Sequence, residues 1–268
     1  MTAIQARATH LPVSTIRLTF PRQLRSELIK LMTVRGTWWS VAIVAALSIG
    51  LAFLATMTMS PPSDVMMAVV APVQFTMLLA GILGVISVTG EYSTGMIRST
   101  LTANPVRGSV LVAKSIVLAV FMFVVSLVIL LASAIAITPL AAANDMAVQW
   151  SDPALTLVPI LSAAGAMALF ALLGVGLGFL LRSGAAAIAT TVGILFVLPI
   201  IVMALASLAP DVQWLMSVGD YLPSAAVQSA IMPAEGYGLT RGEAWVTLVA
   251  WPGITLLGAW AVLRGKDA

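Results

Sequence analysis

The groups that could carry chemistry are few and unevenly placed. His10 is the single histidine and cysteine is absent, so no thiolate metal site, cysteine nucleophile or interior histidine relay can be assembled. The phosphate loop G-x-x-x-x-G-K-[ST] does not occur; the one Gly-Lys pair is Gly265-Lys266, followed by Asp267. No catalytic residue and no metal ligand is assigned, and the chain reads as something other than an enzyme. What remains is charge gathered in two polar stretches. In the first, from Pro21 to Arg35, Leu24, Leu28, Leu31 and Met32 recur at helical spacing, while Arg25, Ser26, Glu27, Lys30 and Thr33 occupy the other faces. An amphipathic helix of this kind suits the inner membrane interface, as a simple anchor or as a docking surface. The second stretch, Gly90–Ser109, reads GEYSTGMIRSTLTANPVRGS. It is too long for a minimal turn. Met96, Ile97, Thr100 and Leu101 form one face of a short helix that Asn104-Pro105 ends. Joined rigidly to membrane helices on both sides, such a helix would act as a lever; without a partner it is an interfacial loop.

The elements that must position these groups follow from composition. Of 268 residues, 60% are hydrophobic and 9% charged, with a mean hydropathy of +1.08. Soluble domains carry about a quarter charged residues, so the composition excludes a soluble globular enzyme, a disordered chain and a disulfide scaffold. It leaves an all-α polytopic membrane protein. A span needs about 20 apolar residues, and stretches without Asp, Glu, Lys or Arg predict six: Trp38–Met59, Met66–Thr89, Ser115–Ile137, Leu155–Leu181, Ser183–Leu208 and Ala244–Leu263. The apolar runs are continuous rather than alternating, which excludes a β-barrel. One membrane domain over 1–268 is expected: a cytoplasmic tail and amphipathic helix over 1–37, a six-span bundle over 38–264 and a short tail over 265–268. Residues 1–37 hold no apolar stretch of the signal-peptide kind, and span one is expected to be an uncleaved anchor.

Orientation comes from Lys and Arg. Arg7, Arg17, Arg22, Arg25, Lys30 and Arg35 precede span one; Arg98, Arg107 and Lys114 lie between spans two and three; Arg182 lies between four and five; Arg264 and Lys266 follow span six. The opposite side holds Arg241 alone. Basic residues stay cytoplasmic, which predicts a multi-pass protein of the plasma (inner) membrane with both termini inside. Trp38 and Trp39 fall where indole rings settle at the interface. The net charge of +3 then reflects topology and leaflet contact, and no nucleic-acid partner is expected. Gly174, Gly176, Gly178, Gly184 and the alanines beyond predict a tight hairpin of spans four and five. The segment 209–243, with Pro210, Pro223 and Pro233 among apolar residues, predicts short helices dipping into the outer leaflet.

All six spans, so drawn, lack ionisable side chains. Proton-coupled carriers need buried carboxylates or histidines and voltage sensors need arginines, so energy for uphill transport would have to come from elsewhere. If ATP drives it, a separate subunit hydrolyses it.

Two segments carry a resemblance. Ser26-Glu27-Leu28-Ile29-Lys30-Leu31 is followed by Arg35, Trp38 and Trp39; Gly90-Glu91-Tyr92 is followed by Gly95, Ile97-Arg98, Leu101, Pro105, Arg107 and Lys114. With six spans and Tyr221-Leu222-Pro223-Ser224 after span five, the whole chain resembles the permease subunits of exporter-type ATP-binding-cassette transporters, the ABC type-2 permeases. Met96 stands where threonine is commoner in that family. The resemblance implies an N-terminal elbow helix, a cytoplasmic coupling helix between spans two and three, and short re-entrant helices between five and six. It implies that Glu91, Tyr92, Gly95, Met96, Ile97, Arg98 and Leu101 face an ATP-binding subunit, supported by Arg25, Glu27, Lys30 and Arg35 of the elbow. It further implies two copies of that ATPase carrying the ATP and Mg2+, no cofactor on this chain, and a second permease, identical or sibling. A hydrophobic or amphipathic cargo (drug, peptide or lipid-like) would pass between the permeases. Gln74, Thr76, Met77 and Ser87 are candidates to line that path, or else ordinary contacts between helices. A non-transporting anchor for an ATPase, or a secondary carrier or channel, would be the alternative.

Overall fold

The computed structural model describes residues 19–61, 64–103, 106–208, 212–233 and 238–265. His10, Arg7, Arg17, Lys266 and the Asn104-Pro105 turn lie outside the described residues, as does the side chain of Leu101. Among the described residues there is no strand. Six helical stretches are long and apolar enough to cross a bilayer: Arg35–Thr58, Val65–Ser93, Arg107–Ala143, Pro153–Leu181, Gly184–Leu208 and Arg241–Gly265.

The chain opens with α1 (Phe20–Thr33), started by Pro21 in its first turn, where a missing N–H is harmless. Extended Val34 separates it from α2 (Arg35–Thr58). Span two is broken into α3 (Val65–Val70), capped by the Asp64 carboxylate on the Met66 N–H, and α4 (Val73–Ser93). The break falls at Ala71-Pro72, because proline lacks the N–H that would continue the ladder and crowds the preceding turn. Then follow α5 (Met96–Ala103), α6 (Arg107–Ala143) and α7 (Pro153–Leu181). Span five comprises α8 (Gly184–Val192), a π-helical stretch Gly193–Val197, and α9 (Leu198–Leu208). Widening the helix just before Pro199 absorbs the lost hydrogen bond. Two short helices, α10 (Gln213–Asp220) and α11 (Pro223–Ile231), precede α12 (Arg241–Gly265). Short helices are therefore present between spans five and six, two in number. α11 buries Ala226, Val227, Ala230 and Ile231, and the Trp251 indole of α12 donates to the Tyr221 carbonyl at 3.0 Å.

Span four, α7, is the hub: 72% of its apolar stretch is buried, against 11% for span five. Lipid tails are as apolar as leucine, so the packing rests on close van der Waals approach. Gly84 of α4 lies so near α7 that a Cβ would sit 2.1 Å from the Ala171 carbonyl oxygen. Gly174 of α7 makes the reciprocal approach, 2.0 Å from the Gly81 carbonyl oxygen. Gly176 lies against Thr255 of α12 and Gly178 against Val88 of α4. The glycines of span four thus pack on spans two and six, and Gly184 of span five approaches Thr89 of α4, rather than closing on one another as the expected hairpin required.

The third span differs most from its sequence reading. The uncharged window begins at Ser115, yet α6 begins at Arg107 and runs for 37 residues, about 55 Å at 1.5 Å per residue. Charge ends an apolar window but does not end a helix. Lys114 lies two turns inside α6 and is 5% exposed. The tract α1–α2 keeps pace with α6 along its length. Gln23 meets Ser109, Glu27 meets Lys114, Trp38 stands edge-on to Phe121, and Asn144 reaches the Thr56 carbonyl.

Candidate functional site

Where α1, α4 and α6 converge, two carboxylates and two ammonium groups form one closed cluster. Lys114 Nζ donates to Glu27 Oε2 at 2.7 Å, to Glu91 Oε1 at 2.8 Å and to the Ser87 carbonyl at 3.1 Å. Lys30 Nζ donates to Glu27 Oε1 at 2.8 Å and Glu91 Oε1 at 3.1 Å. Glu27 is 5% and Glu91 4% exposed. The cluster is neutral in sum, and each charge has an opposite neighbour, which is the condition for removing charge from water. Burial would push the Glu27 carboxyl up, but Lys114 and then Lys30 overcome it and hold it below its ordinary value. Burial likewise opposes the Lys30 charge, but Glu27 and Glu91 hold its pKa above the ordinary value.

The spacing puts Glu27 on a face of the amphipathic helix away from Leu24, Leu28, Leu31 and Met32; it is instead buried together with Leu31, while Leu28, Ile29 and Met32 are exposed. The physical reason is Lys114. A lysine two turns inside an apolar helix needs carboxylate partners, and α1 presents its acid inward to supply one. The spans are therefore free of ionisable groups only as their windows were drawn. Both Lys114 and Glu91 lie within spanning helices and are buried. Lys114 is the member to which the sequence gives a place in the topology and in the resemblance but no role at a site.

Beyond Glu91 the end of α4 is pinned a second time. The Tyr92 ring stands edge-on to Phe179 of α7, centroids 6.3 Å apart at 81°. The Arg182 guanidinium lies 5.7 Å from the Tyr92 ring centre. Arg182 itself caps α7 in the left-handed conformation at φ 53°, which turns the chain at once into α8. The link to α5 passes through Gly95 at φ +72°, a conformation that favours glycine. From there α5 buries Ile97 at 4% exposure and leaves Met96 and Arg98 exposed.

The sequence-selected residues therefore divide. Glu27, Glu91 and Ile97 are buried within the chain, and Lys30 and Tyr92 half-buried; Arg25, Arg35, Gly95, Met96 and Arg98 are exposed. The path candidates also separate. Thr76 and Met77 are buried, and the Thr76 hydroxyl faces the Met167 sulfur of α7 at 3.6 Å. Gln74 meets Gln228 of α11 at 3.2 Å. Ser87 bonds the Gly84 carbonyl at 2.7 Å, and its own carbonyl receives Lys114. Among the described residues no group of His, Cys, Asp and Glu could hold a metal ion.

Six helices of this length and hydropathy mark the chain as a multi-pass α-helical membrane protein. Neither a family model nor a curated protein matches it.

Proposed function

We propose that this chain is the membrane-spanning subunit of an ATP-driven ABC exporter, coupled through α5 to a separate ATPase and paired with a second permease. The observation that carries the reading is mechanical. α5 presents Met96 and Arg98 outward while its base is fixed to the bundle by two anchors, the Glu27–Lys30–Glu91–Lys114 cluster and the Tyr92–Phe179 contact. A helix clamped in this way transmits a push to α4 and α6 instead of swinging freely. Glu27, Lys30 and Glu91 then stiffen the lever from within, and Arg98, Met96 and the exposed Arg25 and Arg35 meet the motor. The motor carries the ATP and Mg2+, and cargo of apolar or amphipathic character passes along the contact between the permeases.

The test is reconstitution of the chain with its cognate ATPase subunit in sealed vesicles. Arg98→Glu should abolish co-purification and ATP-driven cargo movement while leaving insertion and thermal stability of the isolated chain intact. Transport by the chain without an ATPase, or assembly indifferent to Arg98→Glu, would overturn the reading. Assembly and ATP hydrolysis without any cargo movement would favour an ATPase anchor instead.

A further inference from the structure

The two halves of span five are held very differently. The first half starts at Gly184 beside Thr89, near α5, and is fixed to α4. Its residues Ala187, Thr191 and Leu195, spaced by four, are buried. A Cβ added at Gly81 of α4 would lie 2.7 Å from Thr191 Cγ2 and 3.7 Å from Leu195 Cδ1. The buried stripe stops there. In α9 Ala206 is buried, while Ile200, Ile201, Met203, Leu205 and Leu208 are exposed, Leu208 by 81%. What α9 does meet is α10: a Cβ at Gly219 would lie 3.4 Å from Val202 Cγ1. Among the described side chains of α10 none is buried, and Trp214 is exposed. The bundle grips the chain again past α10. There the Tyr221 carbonyl accepts the Trp251 indole at 3.0 Å, Leu222 is buried, and α11 buries Pro223, Ser224, Ala226, Val227, Ala230 and Ile231.

Exposure alone does not make a segment move; its attachments decide that. The junction of α8 and α9 is the weakest turn of the span. Leu198 donates to the Gly193 carbonyl across the wider π-helical ring. Pro199 has no N–H to donate, and a Cβ at Gly193 would meet nothing within 4 Å. Prolines and π-helical turns are where helices bend. The second junction, Tyr221-Leu222 at the start of α11, lies close to the first, because the π-helical stretch packs on α11. A body joined to its support at two neighbouring points turns about the line between them. We infer that α9 and α10 form a hinged flap at the end of the bundle away from α5. It swings as one body about a line through the π-helical stretch and Tyr221-Leu222, while α7, α8 and α11 stay in place. Few buried contacts and a backbone already bent at the pivot keep the cost of that displacement low.

The experiment is a distance measurement between spin labels by electron paramagnetic resonance, on the purified full chain in nanodiscs. Leu155 of α7, Ala189 of α8 and Ser207 of α9 are exposed, and the chain holds no cysteine of its own. The pair Leu155→Cys/Ser207→Cys should give two distance populations. The pair Leu155→Cys/Ala189→Cys, with both labels on the fixed side of the hinge, should give one. Pro199→Ala restores the missing N–H and should leave the first pair with a single population. Since that change could also repack span five, Gly193→Ala provides a second arm. Its methyl meets no neighbour, and it should reduce the minor population roughly two- to fivefold by favouring helical backbone at the pivot. A single population for the first pair in the unaltered chain would overturn the hinge. Two populations for both pairs would do the same, since the whole of span five would then move. So would two populations that neither Pro199→Ala nor Gly193→Ala changes. No ATPase enters the measurement, so a chain whose flap moves yet binds no motor keeps this inference and loses the proposed function.

Discussion

Lys114 has three partners from two other helices, and removing any one member of its cluster leaves a buried charge without compensation. Lys114→Met and Glu91→Gln should each cost about 3–5 kcal/mol, read as thermal unfolding of the purified chain in detergent. The double variant should cost clearly less than the sum, because Glu27 and Lys30 remain as a neutral pair; simple additivity would mean the four groups do not act as a unit. The same measurement run against pH has a defined sign. Glu27 is lowered from an ordinary 4.5, so its contribution is present above that value and lost as pH falls through the lowered one. Lys30 is raised from 10.5, so its contribution is full below that value and lost as pH rises through the raised one. Stability should be flat between those limits and decline outside them. The sequence did hold a signal for this cluster. Glu27, Glu91 and Asp267 are the acids on the side where the basic residues gather, and a lone lysine heads an apolar run at Ser115. Periodicity puts Glu27 away from the apolar face because it counts apolar residues and cannot register that a buried lysine elsewhere needs an acid.

Among the elements, α4 and α7 set the tightest tolerance. Gly174→Ala would place a methyl 2.0 Å from the Gly81 carbonyl oxygen, so the backbones must separate. We expect a loss of about 1–3 kcal/mol or more by the same unfolding assay. Gly253→Ala, also helical but with nothing within 4 Å of its added Cβ, should be neutral or gain up to about 1 kcal/mol. Equal effects at the two positions would refute close packing as the role of Gly174. Spans were legible because about 20 apolar residues are an unmistakable signal, and α5 because Gly95 and the Pro105 turn bracket it. The true start of α6 was not legible: charge closed the window at Lys114, and only tertiary partners show why the helix continues through it. Nor could spacing show that Gly174 and Gly178 pack on span two, since a small residue names no partner.

Under the proposed function the whole molecule is a passive transmission, with α5 as the part a motor grips. This role rests on α5 being cytoplasmic, on the opposite side from the α6–α7 connection, and on its being covered when a motor binds. The absence of cysteine makes this directly measurable. Ser99 and Ser151 are both exposed, one on α5 and one between α6 and α7, and each can be replaced by cysteine alone. In sealed, right-side-out cells an impermeant thiol reagent should label Ser151→Cys and spare Ser99→Cys; in inverted vesicles it should label Ser99→Cys until the cognate ATPase subunit is added, which should then protect it. Labelling of Ser99→Cys from the outside, or labelling in inverted vesicles that the ATPase leaves unchanged, would contradict the account.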